Sequence, residues 1–288
     1  MAVGVPDVES AVSELCDGRG YLLLEDCFPR ASVLEARDRI YALLQEEPGR
    51  TSHFYGDEIN TTQARVWNLP AKGKVFRDLC ADPDILSLMR PILGQDLMLS
   101  SFAANVLHPG AQAQEPHVDY PYWDLHARHR WPRTLNASFF LAVETVIPLD
   151  EFTVENGATA IVPESQSLAR WPDAAEFAER SVRVCMRPGS LLVFPALLWH
   201  AGQENRSSES RAALLGSYTV KSVKPIEDWS RCIERQAAEA YSDEMQGLLG
   251  LHYPYPAVMD RLPARSSEGA RSKQSILKRG DDEEEATH

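Results

Sequence analysis

The sequence predicts a mainly β fold with flanking α-helices: a β-sandwich core preceded by N-terminal helices, in a single domain over residues 1–263. Three observations lead there. Up to Gly94, apolar residues recur at helical spacing. From Asp96 to Val220 the texture changes to short β-type runs punctuated by Pro, Gly, Asn and Asp. No helical segments alternate with those runs, which favours a sandwich or barrel over a parallel α/β sheet.

In chain order, residues 6–18 read as a short amphipathic helix, followed by the apolar run GYLLLEDCF, which reads as a strand. Pro29 to Glu47 carries Val33, Leu34, Ile40, Leu43 and Leu44 at helical spacing and stops at Pro48-Gly49. A polar loop is expected over 49–62, then helices over 72–81 and 83–93 that close at Gly94. The β-type runs are LMLSSFAANVL, LNASFFLAVETVIPL, ATAIVP, SVRVCM, SLLVFP and RAALLGSYTV, and residues 225–248 return to helical spacing. Residues 264–288 carry five Lys/Arg and six Asp/Glu and end DDEEEATH. They lack the apolar content to offset ordering entropy and read as a disordered charged tail.

Composition narrows the function classes. With 44% hydrophobic and 25% charged residues the chain is ordinary for a globular protein. The net charge is -13, and the tail contributes about 5 − 6 = −1 of it, so the body is acidic and repels nucleic acid and anionic lipid. No apolar stretch is long enough for a membrane span, and MAVGVPDVES does not read as a secretory signal. The five cysteines are scattered and never spaced C-x-x-C, which points to a reducing cytoplasm rather than a disulfide framework or zinc ribbon. A monomer or homodimer acting on a small molecule is expected.

The chemistry starts from the histidines. In EPHVDYPYW, His117 and Asp119 stand at i and i+2, so on an extended chain both side chains point to one face. In LLVFPALLWHAGQEN, His200 follows a strongly apolar strand and precedes a Gly-bearing turn. Two histidines and one carboxylate make the facial triad that suits Fe(II) in oxygen-activating enzymes, because adjacent positions stay open for a 2-oxo acid and O2. An H-x-D alone occurs often by chance, and a surface His beside an Asp partner is its ordinary reading. His108, at a strand end before Pro109-Gly110, is a further candidate ligand without a nearby carboxylate.

Binding 2-oxoglutarate also calls for a cation on its distal carboxylate. Arg211 lies eleven positions after His200 (211 − 200 = 11) and opens the next β-run. Were QENRSSES a simple hairpin, Arg211 would lie on the strand antiparallel to that of His200. A guanidinium binds a carboxylate through two donors and stays charged. Arg206, in the loop, competes for the role. Two other classes remain open at this point: a cupin-like metal enzyme that does not use 2-oxoglutarate, and a non-catalytic binding module.

With HVD at 117–119, NGATAIVPES at 156–165, PGSLLVFPALLWHAGQEN at 188–205 and Arg211, the chain resembles the phytanoyl-CoA dioxygenase family over roughly residues 15–225. The resemblance implies a double-stranded β-helix (jelly-roll, cupin-like) core and Fe(II)/2-oxoglutarate-dependent oxygenase activity. It implies His117, Asp119 and His200 as iron ligands, Arg211 as the 2-oxoglutarate clamp, and Trp123 beside the co-substrate. Many members carry Ser or Thr two residues after the distal His. Here that residue is Gly202, and Asn105 and Ser217 are candidates to supply the missing donor. The presence of Asp119 disfavours halogenation. The implied reaction oxidises a small molecule with O2, most simply by hydroxylation in a biosynthetic or tailoring pathway, with release of succinate and CO2. Desaturation, cyclisation and epoxidation use the same centre. In YPYWDLHARHRWPR, Tyr120, Tyr122, Trp123 and Trp131 could wall a pocket and Arg128, Arg130 and Arg133 could meet an anionic substrate group, or the segment is a solvated loop.

Overall fold

The computed structural model describes residues 7–46, 62–127 and 139–251. The N-terminal helices form where the spacing places them. Helix α1, Val8–Cys16, starts where the Asp7 side chain accepts from the Ser10 N–H, and it buries Ala11 and Leu15. Strand β1 is Leu22–Leu24. Helix α2, Arg30–Glu46, buries Val33, Ala36, Ile40 and Leu43, one face of a 3.6-residue period. Strand β2, Gln63–Val66, follows. The helix predicted over 72–81 is α4, Lys74–Cys80, and Gly73 separates it from a short preceding turn of helix, α3, Leu69–Lys72. Helix α5, Pro83–Leu93, is capped by Asp82, which accepts from the Asp84 and Ile85 N–H groups.

The remaining strands are β3, Met98–Leu107; β4, Ala142–Pro148; β5, Ala160–Ile161; β6, Val182–Arg183; β7, Leu191–Pro195; β8, His200–Ala201; and β9, Arg211–Thr219. A short helix α6, Tyr122–Ala127, lies between β3 and β4. The C-terminal helical stretch is broken into Trp229–Cys232, Arg235–Ala238 and Asp243–Leu248, because Ile233 turns extended and Ser242 caps a fresh start. The expected loop over 49–62 lies outside the described residues but for Thr62, as does the charged tail at 264–288.

The strands build two antiparallel sheets, β1-β7-β4-β9-β3-β2 and β6-β5-β8, with long crossovers between sequence-distant neighbours. This is the jelly-roll arrangement. The large sheet is covered on both faces. Val143 and Ile147 of β4, Val193 of β7 and Leu214 and Tyr218 of β9 pack with Leu15, Ile40, Phe76 and Leu86 of the helices. Val146, Phe194 and Ala213 on the opposite face pack with Ile161, Val184 and Met186 of the small-sheet side. Burial on both faces explains why these strands read as near-continuous apolar runs. Each fully buried side chain such as Ile40 or Phe76 contributes about 1.5–3 kcal/mol. The cavity-facing positions of the large sheet, by contrast, carry Ser101, Asn105, Glu144, Arg211 and Ser217. Among the described residues no helix is long and apolar enough to cross a membrane.

Candidate active site

A cavity of about 800 Å³ lies between the two sheets, and His117, Asp119, His200, Arg211, Trp123 and Asn105 all line it. The metal-type residues meet through a backbone bridge. His117 and His200 form an isolated antiparallel pair, with the His117 N–H donating to the His200 carbonyl at 3.0 Å and the reverse bond at 3.1 Å. That bond pair sets the two imidazoles side by side, ring centroids 4.4 Å apart. The Asp119 N–H donates to the Ala196 carbonyl at 2.8 Å, a second main-chain tie that holds the carboxylate, two residues on, beside the bridge.

The resulting donor set is compact. Asp119 Oδ2 lies 3.1 Å from His200 Nε2, and Asp119 Oδ1 lies 3.8 Å from His117 Nε2. All three candidate ligand atoms lie within 4.8 Å of one another. The Nδ1 of His117 lies 2.7 Å from the Glu115 carbonyl and that of His200 2.9 Å from the Leu198 carbonyl. A carbonyl only accepts, so both Nδ1 atoms carry a hydrogen and both Nε2 atoms are turned to the shared centre, that of His200 within hydrogen-bond reach of Asp119. Burial and the neighbouring His200 push His117 down to about 4, which keeps it neutral. Burial works against the charged forms of Asp119 and His200, yet their mutual attraction holds the carboxylate below its usual range and raises the imidazole. A divalent metal requires an ionised carboxylate and imidazoles with free Nε2 atoms, so it displaces any proton that His200 Nε2 shares with Asp119.

Arg211 opens β9 and is 3% exposed. One Nη donates to the Gly157 carbonyl at 2.5 Å, and the guanidinium lies over the Phe152 ring at 3.8 Å. Its Nε is buried without a hydrogen-bond partner, and no described carboxylate forms an ion pair with it. Burial pushes this guanidinium down to about 9. A fixed, buried cation of this kind on a cavity wall fits an anionic ligand. Arg206, its competitor in the sequence, is exposed and pairs with Glu204 at 3.3 Å, so the geometry leaves it out of the cavity.

The connection between His200 and Arg211 differs from the simple hairpin. β8 pairs with β5 in the small sheet, whereas β9 pairs with β3 and β4 in the large one. The turn switches sheets because Asn205 ties it down: its Nδ2 donates to the Leu107 and Glu209 carbonyls, and its Oδ1 accepts from Ser207. His200 and Arg211 therefore face each other across the cavity from different sheets. Gly157, whose carbonyl holds Arg211, has φ +87, and a Cβ there would lie 2.5 Å from the Gln203 carbonyl oxygen. Gly157→Ala is expected to lower stability by about 1–3 kcal/mol through the strained φ and this contact. Thermal melting checks it, and an unchanged Tm would show that the backbone relaxes freely.

Other sequence candidates take distinct places. His108 pairs with Ser210 Oγ at 2.9 Å and is no part of the metal-type cluster. Trp123 lines the cavity 6.3 Å from Tyr120, ring to ring. Asn105 accepts from Gln63 Nε2 at 2.9 Å, and Ser217 donates to Glu144 Oε1 at 2.9 Å. At Gly202 the space is filled from elsewhere. Gln114 Oε1 accepts from the Gly202 N–H at 2.9 Å, and a Cβ on Gly202 would meet that oxygen at 2.6 Å. Trp131, Arg128, Arg130 and Arg133 lie outside the described residues.

Arg65, Gln114 and Glu144 also line the cavity, although the sequence pattern does not single them out. Arg65 of β2 lines the cavity close enough to Asp119 for their charges to interact, and burial pushes it down to about 10. Gln114 precedes His117 by three positions in a stretch with no secondary-structure pattern. Glu144 is a buried acid inside the apolar run AVETVIP, a signal that was available. Burial, reinforced by repulsion from Asp119, raises its carboxyl well above the usual range.

The family model for phytanoyl-CoA dioxygenase (PhyH) matches residues 16–213. The chain is similar to the dioxygenase af480 of Aspergillus fumigatus, with 26% identity over 263 residues, 88% of this chain and 79% of that one. Among solved structures it resembles the epimerase SnoN in complex with Fe3+, alpha ketoglutarate and nogalamycin RO, at TM-score 0.59, 20% identity, 76% of this chain and 86% of that one. The non-heme alpha ketoglutarate dependent carbocyclase SnoK from nogalamycin biosynthesis matches at TM-score 0.59, 20% identity, 76% of this chain and 87% of that one. At that level of identity the two structures show a common fold.

Proposed function

The chain belongs to the phytanoyl-CoA dioxygenase (PhyH) family, and from that premise we propose that it is an Fe(II)/2-oxoglutarate-dependent dioxygenase that hydroxylates a small molecule in a biosynthetic or tailoring pathway. In balanced form, substrate R–H, O2 and 2-oxoglutarate give R–OH, succinate and CO2. The observation that carries the reading is one cavity holding both a compact His-Asp-His donor set and a buried arginine that no described carboxylate pairs with. A metal enzyme that does not use 2-oxoglutarate would have no need for that second feature.

His117, Asp119 and His200 hold the iron, and when bound it supplies O2 activation coupled to oxidative decarboxylation of the 2-oxo acid. Glu115 and Leu198 fix the two imidazoles through their carbonyls, so the Nε2 atoms are set before the metal arrives. Arg211 takes the distal carboxylate of 2-oxoglutarate, steadied by Gly157 and Phe152. Arg65, on the Asp119 side, and the Gln114 carboxamide beside Gly202 offer donors to the remaining oxygens. Trp123 and Phe194 close apolar walls around the site and help exclude water. Names among the relatives, an epimerase and a carbocyclase, support a reaction outcome set by how the substrate lies rather than by the metal-binding residues.

Metal removal gives a direct test. Chelation is expected to stop 2-oxoglutarate-dependent succinate release, Fe(II) to restore it, and Zn(II), which has no redox chemistry, to leave it silent. Succinate release that survives chelation, or that Zn(II) restores equally, would sink the assignment.

A further inference from the structure

We propose that Glu144, oriented by Ser217, is a substrate-positioning residue that hydrogen-bonds an oxygen function, hydroxyl or carbonyl, on an otherwise largely apolar substrate. The inference rests on reading the cavity as an oxygenase site, and it deepens that reading to a substrate class.

Glu144 lies on the cavity face of β4 and is 9% exposed. In register it stands opposite Ser217 of β9 and Phe194 of β7, and Ser217 stands opposite Ser101 of β3. A polar row, Ser101, Ser217 and Glu144, thus crosses three neighbouring strands and ends at Phe194, whose ring lies 4.9 Å from that of His200. The row sits beside the metal-type residues.

Ser217 Oγ donates to Glu144 Oε1 at 2.9 Å. No described residue bonds the other carboxyl oxygen, and no described cation pairs with it. That second oxygen opens on the cavity wall, where a ligand can take up its bonding. Burial favours the neutral acid. With Oε1 accepting from Ser217, the remaining oxygen then has a hydrogen to give.

Distance separates this place from the co-substrate. Arg211 and Ser217 share a face of β9, six residues apart (217 − 211 = 6), about 20 Å along the strand. A five-carbon dicarboxylate anchored on Arg211 is far shorter, so the Glu144 end belongs to the substrate. Val146, Phe194, Leu215 and Ile226 line the cavity with apolar surface, which sets the character of the rest of the molecule.

A matched pair of probes tests this on the protein loaded with Zn(II) and 2-oxoglutarate, which binds without turnover. The probes are 2-acetylnaphthalene and 2-isopropenylnaphthalene, in which a methylene replaces the carbonyl oxygen. Ligand-observed NMR titration gives the ratio of their dissociation constants. Relative to wild type, Glu144→Leu is expected to cut the preference for the ketone by about fivefold to tenfold. Glu144→Gln, which still donates, should keep it. A ratio unmoved in Glu144→Leu overturns the proposal, as does failure of both probes to bind the wild type. Should Glu144→Leu fail to fold, Ser217→Ala carries the test through the lost orienting bond, with a fall of about twofold or more expected. An unchanged ratio there overturns the proposal equally. The underlying oxygenase reading is tested apart from this, by the visible band of the wild-type protein with Fe(II) and 2-oxoglutarate. A missing band sinks that reading, whereas a band with an unmoved probe ratio sinks only the role of Glu144.

Discussion

Asp119→Ala is expected to abolish turnover and to weaken Fe(II) binding by at least about a hundredfold, because even the outer partners of metal ligands cost 10–100-fold when removed. The carboxylate is the only anionic member of the donor set, and its two oxygens lie 3.1 Å and 3.8 Å from the two Nε2 atoms. Without it the site offers two neutral imidazoles. The fold should survive, since the Asp119 backbone N–H keeps its bond to the Ala196 carbonyl and the His117–His200 bridge is made by main chain alone. Circular dichroism and metal titration of the variant separate the two effects. Full activity in Asp119→Ala would remove the triad from the account, and His117→Ala, expected to behave alike, would show whether the imidazole belongs to it.

Arg211→Ala is expected to raise the KM for 2-oxoglutarate by about a hundredfold or more, the scale on which removing one partner of a buried, hydrogen-bonded charge pair acts. Turnover at saturating 2-oxoglutarate should change far less, because Arg211 faces His200 across the cavity from another sheet and does not touch the metal-type residues. Arg211→Lys should fall between, since a point charge replaces a planar fork. Melting temperature serves as the control. Removing a buried cation with an unbonded Nε offsets part of the lost packing on Phe152, so a large fall in KM-independent stability is not expected. An unchanged KM with a lowered Tm would make Arg211 structural, and Arg65 would become the residue to test.

Much of the site was legible because its signals are local. The i, i+2 spacing of His117 and Asp119 fixes a shared face wherever the chain is extended, and His117 sits in a β-bridge with His200. The double burial of β4, β7 and β9 left apolar runs long enough to mark the strands. What stayed hidden depends on contacts distant in sequence. β2 spans four residues, QARV, too short for its period to stand out, and it is a strand because β3 pairs with it. The turn after His200 looked like a hairpin, yet Asn205 bonds the Leu107 carbonyl and carries the chain to the other sheet. Gln114 fills the place beside Gly202 only because two loops meet there, which no spacing encodes. Glu144 broke its own apolar pattern, and a buried acid in a strand is the kind of local conflict that marks function.

The most direct measurement is an anaerobic absorbance titration of the metal-free protein, first with Fe(II) and then with 2-oxoglutarate. A weak visible charge-transfer band is expected only when both are present, absent in Asp119→Ala and shifted to much higher 2-oxoglutarate concentration in Arg211→Ala. Fe(II) binding with no band at any 2-oxoglutarate concentration would contradict the proposed function, leaving a metal site that does not take the 2-oxo acid.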